Sequence, residues 1–79
     1  MWIEPSKVEL QEMPKFHETD DVRIYNKIIQ MHFYHRDIDW YAVEYSPDDR
    51  MFFGCTIVNG DVLNSEWGCF EFDKLRDLM

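Results

Sequence analysis

The sequence predicts an α+β fold, an antiparallel meander of about four strands with short N- and C-terminal helices packed on it. Apolar and aromatic runs of strand length are separated by turn residues, a helix-start signature stands near the N-terminus, and the last residues place apolar side chains at helical spacing.

Taken in order, Pro5-Ser6-Lys7-Val8-Glu9 carries a capping box, with Ser6 capping the Glu9 amide and the Glu9 carboxylate reaching back. Val8 and Leu10 supply an apolar side, and Pro14 ends the run because Met13 before it avoids the helical region. The result is a helix over residues 7–13, too short to hold without packing. The next stretch, KFHETDDVRIYNK, admits two readings. Either Thr19 caps a helix with Val22, Tyr25 and Ile29 on one face, or Glu18 to Asp21 form a polar loop leading into extended chain. KIIQMHFYH is rich in β-branched and aromatic residues, which favours the loop followed by a strand over 27–34.

Three further strands are clearer. DWYAVEYS ends at Pro47-Asp48-Asp49, where Pro fits the second position of a type I turn. RMFFGCTIV closes on Asn59-Gly60, a strong hairpin pair, so Asp61-Val62-Leu63 is expected to pair back briefly. EWGCFEF places Phe70 and Phe72 on one face. In FDKLRDLM, Asp73 is a candidate N-cap and Leu75, Leu78 and Met79 share a face. No repeat, low-complexity stretch or linker interrupts the chain, so residues 1–79 read as a single small domain.

Period-two alternation sends Trp40, Ala42 and Glu44 to one side of their strand and Tyr41, Val43 and Tyr45 to the other. Phe52, Gly54 and Thr56 alternate likewise with Met51, Phe53 and Cys55. Cross-strand aromatic pairs are a normal way to stabilise a small sheet, so most of these rings read as core. The apolar residues are nevertheless too many for a fully wet second face, and some aromatics are expected to stay exposed or meet a partner. Gly54 and Gly68 mark bulges or close packing in the sheet.

Hydrophobic residues make up 46% of the chain and aromatics 16%, which places it among folded proteins rather than disordered ones. Met1-Trp2-Ile3-Glu4 has no basic leader region, and no stretch approaches the roughly 20 apolar residues of a membrane span. Cys55 and Cys69 fit no metal spacing and are too few for a disulfide framework. The expected location is the reducing cytoplasm, with a disulfide possible only if their strands are adjacent and the Cα atoms close enough. The net charge of −8 disfavours direct binding to nucleic acid and to anionic membranes, and it allows a basic partner.

Catalytic and metal chemistry find little support. His32 and His35 are three apart, which puts their rings on opposite faces of a strand, and His17 is remote from both in sequence. Asp37, Asp39, Glu44, Asp48 and Asp49 lack the glycine and closing glutamate of a calcium loop. Both cysteines lie in apolar strand contexts, and the scattered glycines form no phosphate-cradling loop. No catalytic, cofactor-binding or metal-binding residue is assigned, and no enzyme is expected.

The order DWYAVEY, FFG, EWGCFEFDKL resembles the DUF2958 family of small bacterial and phage domains of unknown function. The likeness runs over about residues 13–78: MPKFHETDD, then Trp40-Tyr41 and Glu44, then Phe52-Phe53-Gly54, then Glu66, Gly68, Phe70 and Leu75. Cys69, where an aromatic is more usual, and Lys74, where an acid is, depart from the pattern. The resemblance brings no catalytic residues; it implies a protein carried by phages, plasmids or other mobile elements.

The expected function is therefore that of a non-enzymatic acidic interaction protein. In its sharpest form it is an anti-defence, anti-CRISPR-like inhibitor that binds a basic nucleic-acid-binding surface of a host protein, with carboxylates standing in for phosphates. Candidate contacts are Glu18, Asp20, Asp21, Asp37, Asp39, Asp48 and Asp49, with Asp37 and Asp39 roughly 6.5–7 Å apart if the chain there is extended. The alternative is a self-associating structural or accessory domain, a homodimer whose acids only keep it soluble.

Overall fold

The computed structural model describes residues 4–79, so the reading of the first three residues as free of a leader lies outside it. Helix α1 (Lys7–Glu12) begins as the capping box demands: Ser6 Oγ accepts from the Glu9 amide at 3.1 Å and Glu9 Oε1 accepts from the Ser6 amide at 3.0 Å. Strands β1 (Met31–His35), β2 (Ile38–Ser46), β3 (Met51–Val58) and β4 (Glu66–Glu71) form one antiparallel sheet in the order β1-β2-β3-β4. Helix α2 (Phe72–Leu78) follows β4 directly. The meander and its two terminal helices are the α+β architecture expected.

Several elements differ in detail. The strand expected over 27–34 begins only at Met31, and a single 3-10 turn at Ile24–Asn26 precedes it. The helical alternative capped by Thr19 does not form, because Thr19 turns its amide and hydroxyl to Glu44 instead. Asn59 and Gly60 both take positive φ, 55° and 69°, as a type I′ turn requires. Yet Asp61-Val62-Leu63 does not pair back: Val62–Asn64 is a 3-10 turn, and pairing with β3 resumes at Glu66.

The core lies on one face of the sheet, under both helices. Phe52 sits at its centre, fully buried, with ring centroids of Phe33, Tyr45, Phe70 and Phe72 at 5.2, 4.8, 5.6 and 5.9 Å. Each such pair adds about 0.5–1.5 kcal/mol to the burial of the rings. Trp40, Ala42, Met13 and Leu75 complete the cluster, with Leu10 and Met79 against its border. Phe72 is not a strand residue, but it reaches the same core from the first turn of α2. Leu78 departs from the face it was expected to share with Leu75 and stands 51% exposed.

The alternation expected along β2 breaks at Val43. Ala42 pairs with Gly54 and Glu44 with Phe53, so Val43 is one residue too many, a β-bulge. Tyr45 thereby joins Trp40 and Ala42 in the core, and Glu44 leaves that side, reversing both assignments. Beside the bulge, Gly54 lies against the backbone: a Cβ there would stand 1.9 Å from the Tyr41 carbonyl oxygen. At Gly68 a Cβ meets nothing within 4 Å, so close packing explains only the first of the two glycines.

Asp73 is not the N-cap of α2. Glu71 holds that position without a side-chain bond, and Asp73 lies in the first turn, where its carboxylate accepts from Arg50 Nη2 at 2.9 Å. Arg50 also stacks over the Phe72 ring at 4.7 Å and accepts the Phe72 amide through its carbonyl at 3.0 Å. The β2–β3 turn is thus tied to the start of α2.

Two measurements test this account. Gly54→Ala should lower stability by about 2 kcal/mol or more, because the methyl overpacks against backbone, while Gly68→Ala stays within about 1 kcal/mol of the parent; urea unfolding midpoints decide. The hydrogen bonds from Arg50 hold the Asp73 carboxyl below its usual range. Its contribution is present above the unfolded pKa of about 3.9 and is lost as pH falls through the lower folded value. Asp73→Asn should therefore make the fall in unfolding midpoint below about pH 4 shallower than in the parent.

Candidate functional site

Among the described residues no helix lies over the other face of the sheet. The molecule measures 29 × 27 × 16 Å, and its shortest dimension holds a sheet and one covering layer, since packed layers stand about 10 Å apart. Strand pairing sorts this face into rows. His32, Tyr41, Cys55 and Trp67 are successive cross-strand partners, and so are Tyr34, Asp39 and Ile57. Phe53 pairs with Cys69 on the third.

The rings on this face are ordered by one another. His32 stacks on Tyr41 with centroids 4.4 Å apart and planes within 8°, and Tyr34 stands 5.7 Å from His32. Phe53 and Trp67 are 6.0 Å apart. His32 Nε2 lies 2.7 Å from Asp39 Oδ1, which fixes both the imidazole and the carboxylate. Tyr34 is 64% exposed although it sits in a strand, whereas Tyr41, Phe53, Ile57 and Trp67 are half-buried by their neighbours.

One end of the face is covered by chain rather than by a helix. Past β1, the β2 edge is taken up by the segment after α1: the Tyr45 amide donates to the Pro14 carbonyl at 2.9 Å. The buried Glu44 carboxylate accepts from the amides of His17 and Thr19, each at 3.1 Å, and from the Thr19 hydroxyl. Lys27 Nζ donates in turn to the carbonyl and hydroxyl of Thr19. His17, with φ of 73°, is held in this left-handed turn by that carboxylate. Glu44 is therefore an anchor for the loop and not a surface acid.

The seven candidate contact acids fall into three places. Glu18, Asp20 and Asp21 stand exposed on the turn that Glu44 anchors, with Asp20 Oδ2 3.1 Å from His17 Nδ1. Asp37 occupies the β1–β2 turn rather than extended chain, so the strand spacing expected between it and Asp39 does not apply; only Asp39 lies on the open face. Asp48 and Asp49 lie in the β2–β3 turn, at the opposite end of β2, with Asp49 accepting from Ser46 Oγ at 3.2 Å. The first three share one turn, Asp48 and Asp49 lie in a second, and Asp37 and Asp39 lie in and beside a third.

Cys55 is buried and Cys69 exposed, and both are free thiols on diagonal positions of the sheet. Among the described residues no group of three or more His, Cys, Asp and Glu could hold a metal ion, and no helix is long and apolar enough to cross a membrane. Comparison with protein-family models, with curated proteins and with solved structures returns no match, so the family resemblance rests on the motif residues themselves. Within those motifs Trp40, Phe52, Phe70 and Leu75 pack the core or its border, Gly54 permits close approach, and Glu44 anchors the loop.

The aromatic row on β1 was the part of this face that the sequence concealed. Its signal was the even spacing of His32 and Tyr34 across a two-residue turn from Asp39 and Tyr41, readable only once Arg36-Asp37 is taken as that turn.

Glu44→Ala should strip the His17 and Thr19 amides of their acceptor, at about 1–3 kcal/mol for each group left unsatisfied. Amide exchange at His17 and Thr19 should quicken well beyond that of β3, with Glu44→Gln intermediate; unchanged exchange at those two amides would refute the anchoring role.

Proposed function

We propose that the protein is a non-enzymatic interaction module that binds a basic surface of another protein through the uncovered face of its sheet. The observation that carries the reading is that face itself. It presents ordered rings at His32, Tyr34, Tyr41, Phe53 and Trp67 and a carboxylate at Asp39, with no layer over them among the described residues. Aromatic side chains beside a carboxylate are a surface chemistry suited to lysine and arginine, through ring faces and charge together. Cytoplasmic action against a nucleic-acid-binding host protein is the specific form of this reading. The net charge of −8 favours encounter with a surface built to hold phosphates. In the narrowest form the protein is an anti-defence, anti-CRISPR-like inhibitor carried by a mobile element, in keeping with the family resemblance.

The test is displacement. Immobilised protein is exposed to a host lysate at low salt, and each retained protein is eluted with rising salt and assayed for binding to labelled DNA or RNA. The expected result is a nucleic-acid-binding protein that leaves as screening shortens towards about 3 Å near 1 M salt, and that loses its labelled nucleic acid when the free protein is added. Retention of nothing, together with a sedimenting mass that doubles with concentration, would replace this function with the self-associating one.

A further inference from the structure

Resting on that reading of the open face, we infer that the cross-strand row Tyr34–Asp39–Ile57 is a seat for one arginine side chain of the partner. Tyr34 on β1 and Asp39 on β2 are direct partners, and Asp39 is the partner of Ile57 on β3. Directly opposed residues place their Cβ atoms about 4.5–5.5 Å apart, so ring, carboxylate and apolar side chain form one continuous strip. The Tyr34 ring is 64% exposed and has a face to offer. Asp39 Oδ1 is engaged by His32 Nε2 at 2.7 Å, which leaves Oδ2 for an incoming donor. Ile57 is half-buried and supplies apolar surface for the methylene stem.

The geometry selects a guanidinium over an ammonium. A planar guanidinium stacks on the Tyr34 ring while its edge donates to Asp39 Oδ2, two contacts that share one plane. A lysine ammonium, compact and strongly hydrated, makes the charge contact and gains less from the ring. His32 acts as a positioning residue: stacked on Tyr41 with centroids 4.4 Å apart, it holds the carboxylate in place without touching the arginine. Charge complementarity sets the occupant, since a protein of net charge −8 disfavours a second copy of itself on this face relative to a basic chain.

The experiment titrates the full chain with fluorescent nona-arginine and nona-lysine peptides at equal ionic strength, with amide chemical shifts followed in parallel. Nona-arginine should bind about three- to ten-fold more tightly than nona-lysine, with the largest shifts at Tyr34, Asp39 and Ile57. Tyr34→Ala should bring arginine binding down to the lysine level with lysine binding nearly unchanged, and Tyr34→Phe should keep the preference. Tyr34 is an exposed edge-strand residue, and matching thermal midpoints establish that its variants fold. Equal binding of the two peptides, or a preference that survives Tyr34→Ala, would overturn the arginine seat and leave a basic partner in place. Shifts confined to Glu18, Asp20 and Asp21 or to Asp48 and Asp49 would do the same. Binding of neither peptide would overturn both the seat and the proposed function. Peptide-free protein whose mass doubles as Tyr34 and Asp39 signals shift would overturn the seat in favour of a second copy.

Discussion

The extra residue at Val43 is the constraint on which the remaining architecture turns. It divides β2 into a half that pairs with β1 and a half whose edge is free for another piece of chain. Without it, strict alternation would place Tyr45 on the open face and Glu44 among the core rings. With it, Tyr45 packs at 4.8 Å from Phe52, and Glu44 turns to the segment that follows α1. A buried carboxylate is costly unless its lone pairs are filled, and here two amides and a hydroxyl fill them. The loop owes its left-handed turn at His17 to the bulge, and the bulge owes its tolerance of a buried acid to the loop. Gly54 completes the arrangement, since only a residue without a side chain fits against the Tyr41 carbonyl at that point of the ladder.

This division explains why the domain has one covered face and one open one. The described residues supply two α-helices, of six and seven residues, and both lie on the Phe52 side. The loop from Pro14 to Gln30 extends the covering over Val43 and Glu44. What the described residues leave uncovered is the middle of the sheet, where half-buried rings shield one another. Ring stacking stiffens that surface, as His32 on Tyr41 shows, so the proposed partner would meet side chains that have already lost much of their rotamer freedom. A surface ordered before contact is the economical design for binding.

The strands, the presence of a turn at Asn59-Gly60 and the capping box at Ser6 and Glu9 were legible because each depends on neighbours in sequence. The features that the sequence concealed depend on distant residues. No glycine or other breaker in Ala42-Val43-Glu44-Tyr45 announces a bulge; the Pro14 carbonyl and the Gly54 backbone impose it from outside. Asp73 looks like a cap because it opens an apolar helical pattern, but β4 runs into α2 with no residue between them, and Arg50 claims the carboxylate. Residues 61–63 follow a hairpin turn and yet do not pair, since the chain spends them on a 3-10 turn before β4 starts. Of the candidate site, the acids were visible as residues and their division among three places was not.

That division bears on what the acidity does. The two turns that hold Asp37 and Asp48-Asp49 stand at opposite ends of a nine-residue strand, a span of about 26 Å at 3.3 Å per residue. Screening at physiological salt falls off over about 8 Å, so those charges do not add at one point on a partner. They act together only at long range, where they raise the rate of encounter with a basic surface and repel acidic ones. Holding the proposed partner would require contacts shorter than a Debye length, and on the open face Asp39 is the one candidate acid that stands among ring faces. In the proposed complex the long-range field and the short-range contact are thus carried by different residues. Under the proposed function the field can tolerate the loss of any single acid, whereas the proposed arginine contact depends on one carboxylate, its tyrosine neighbour and the histidine that holds it.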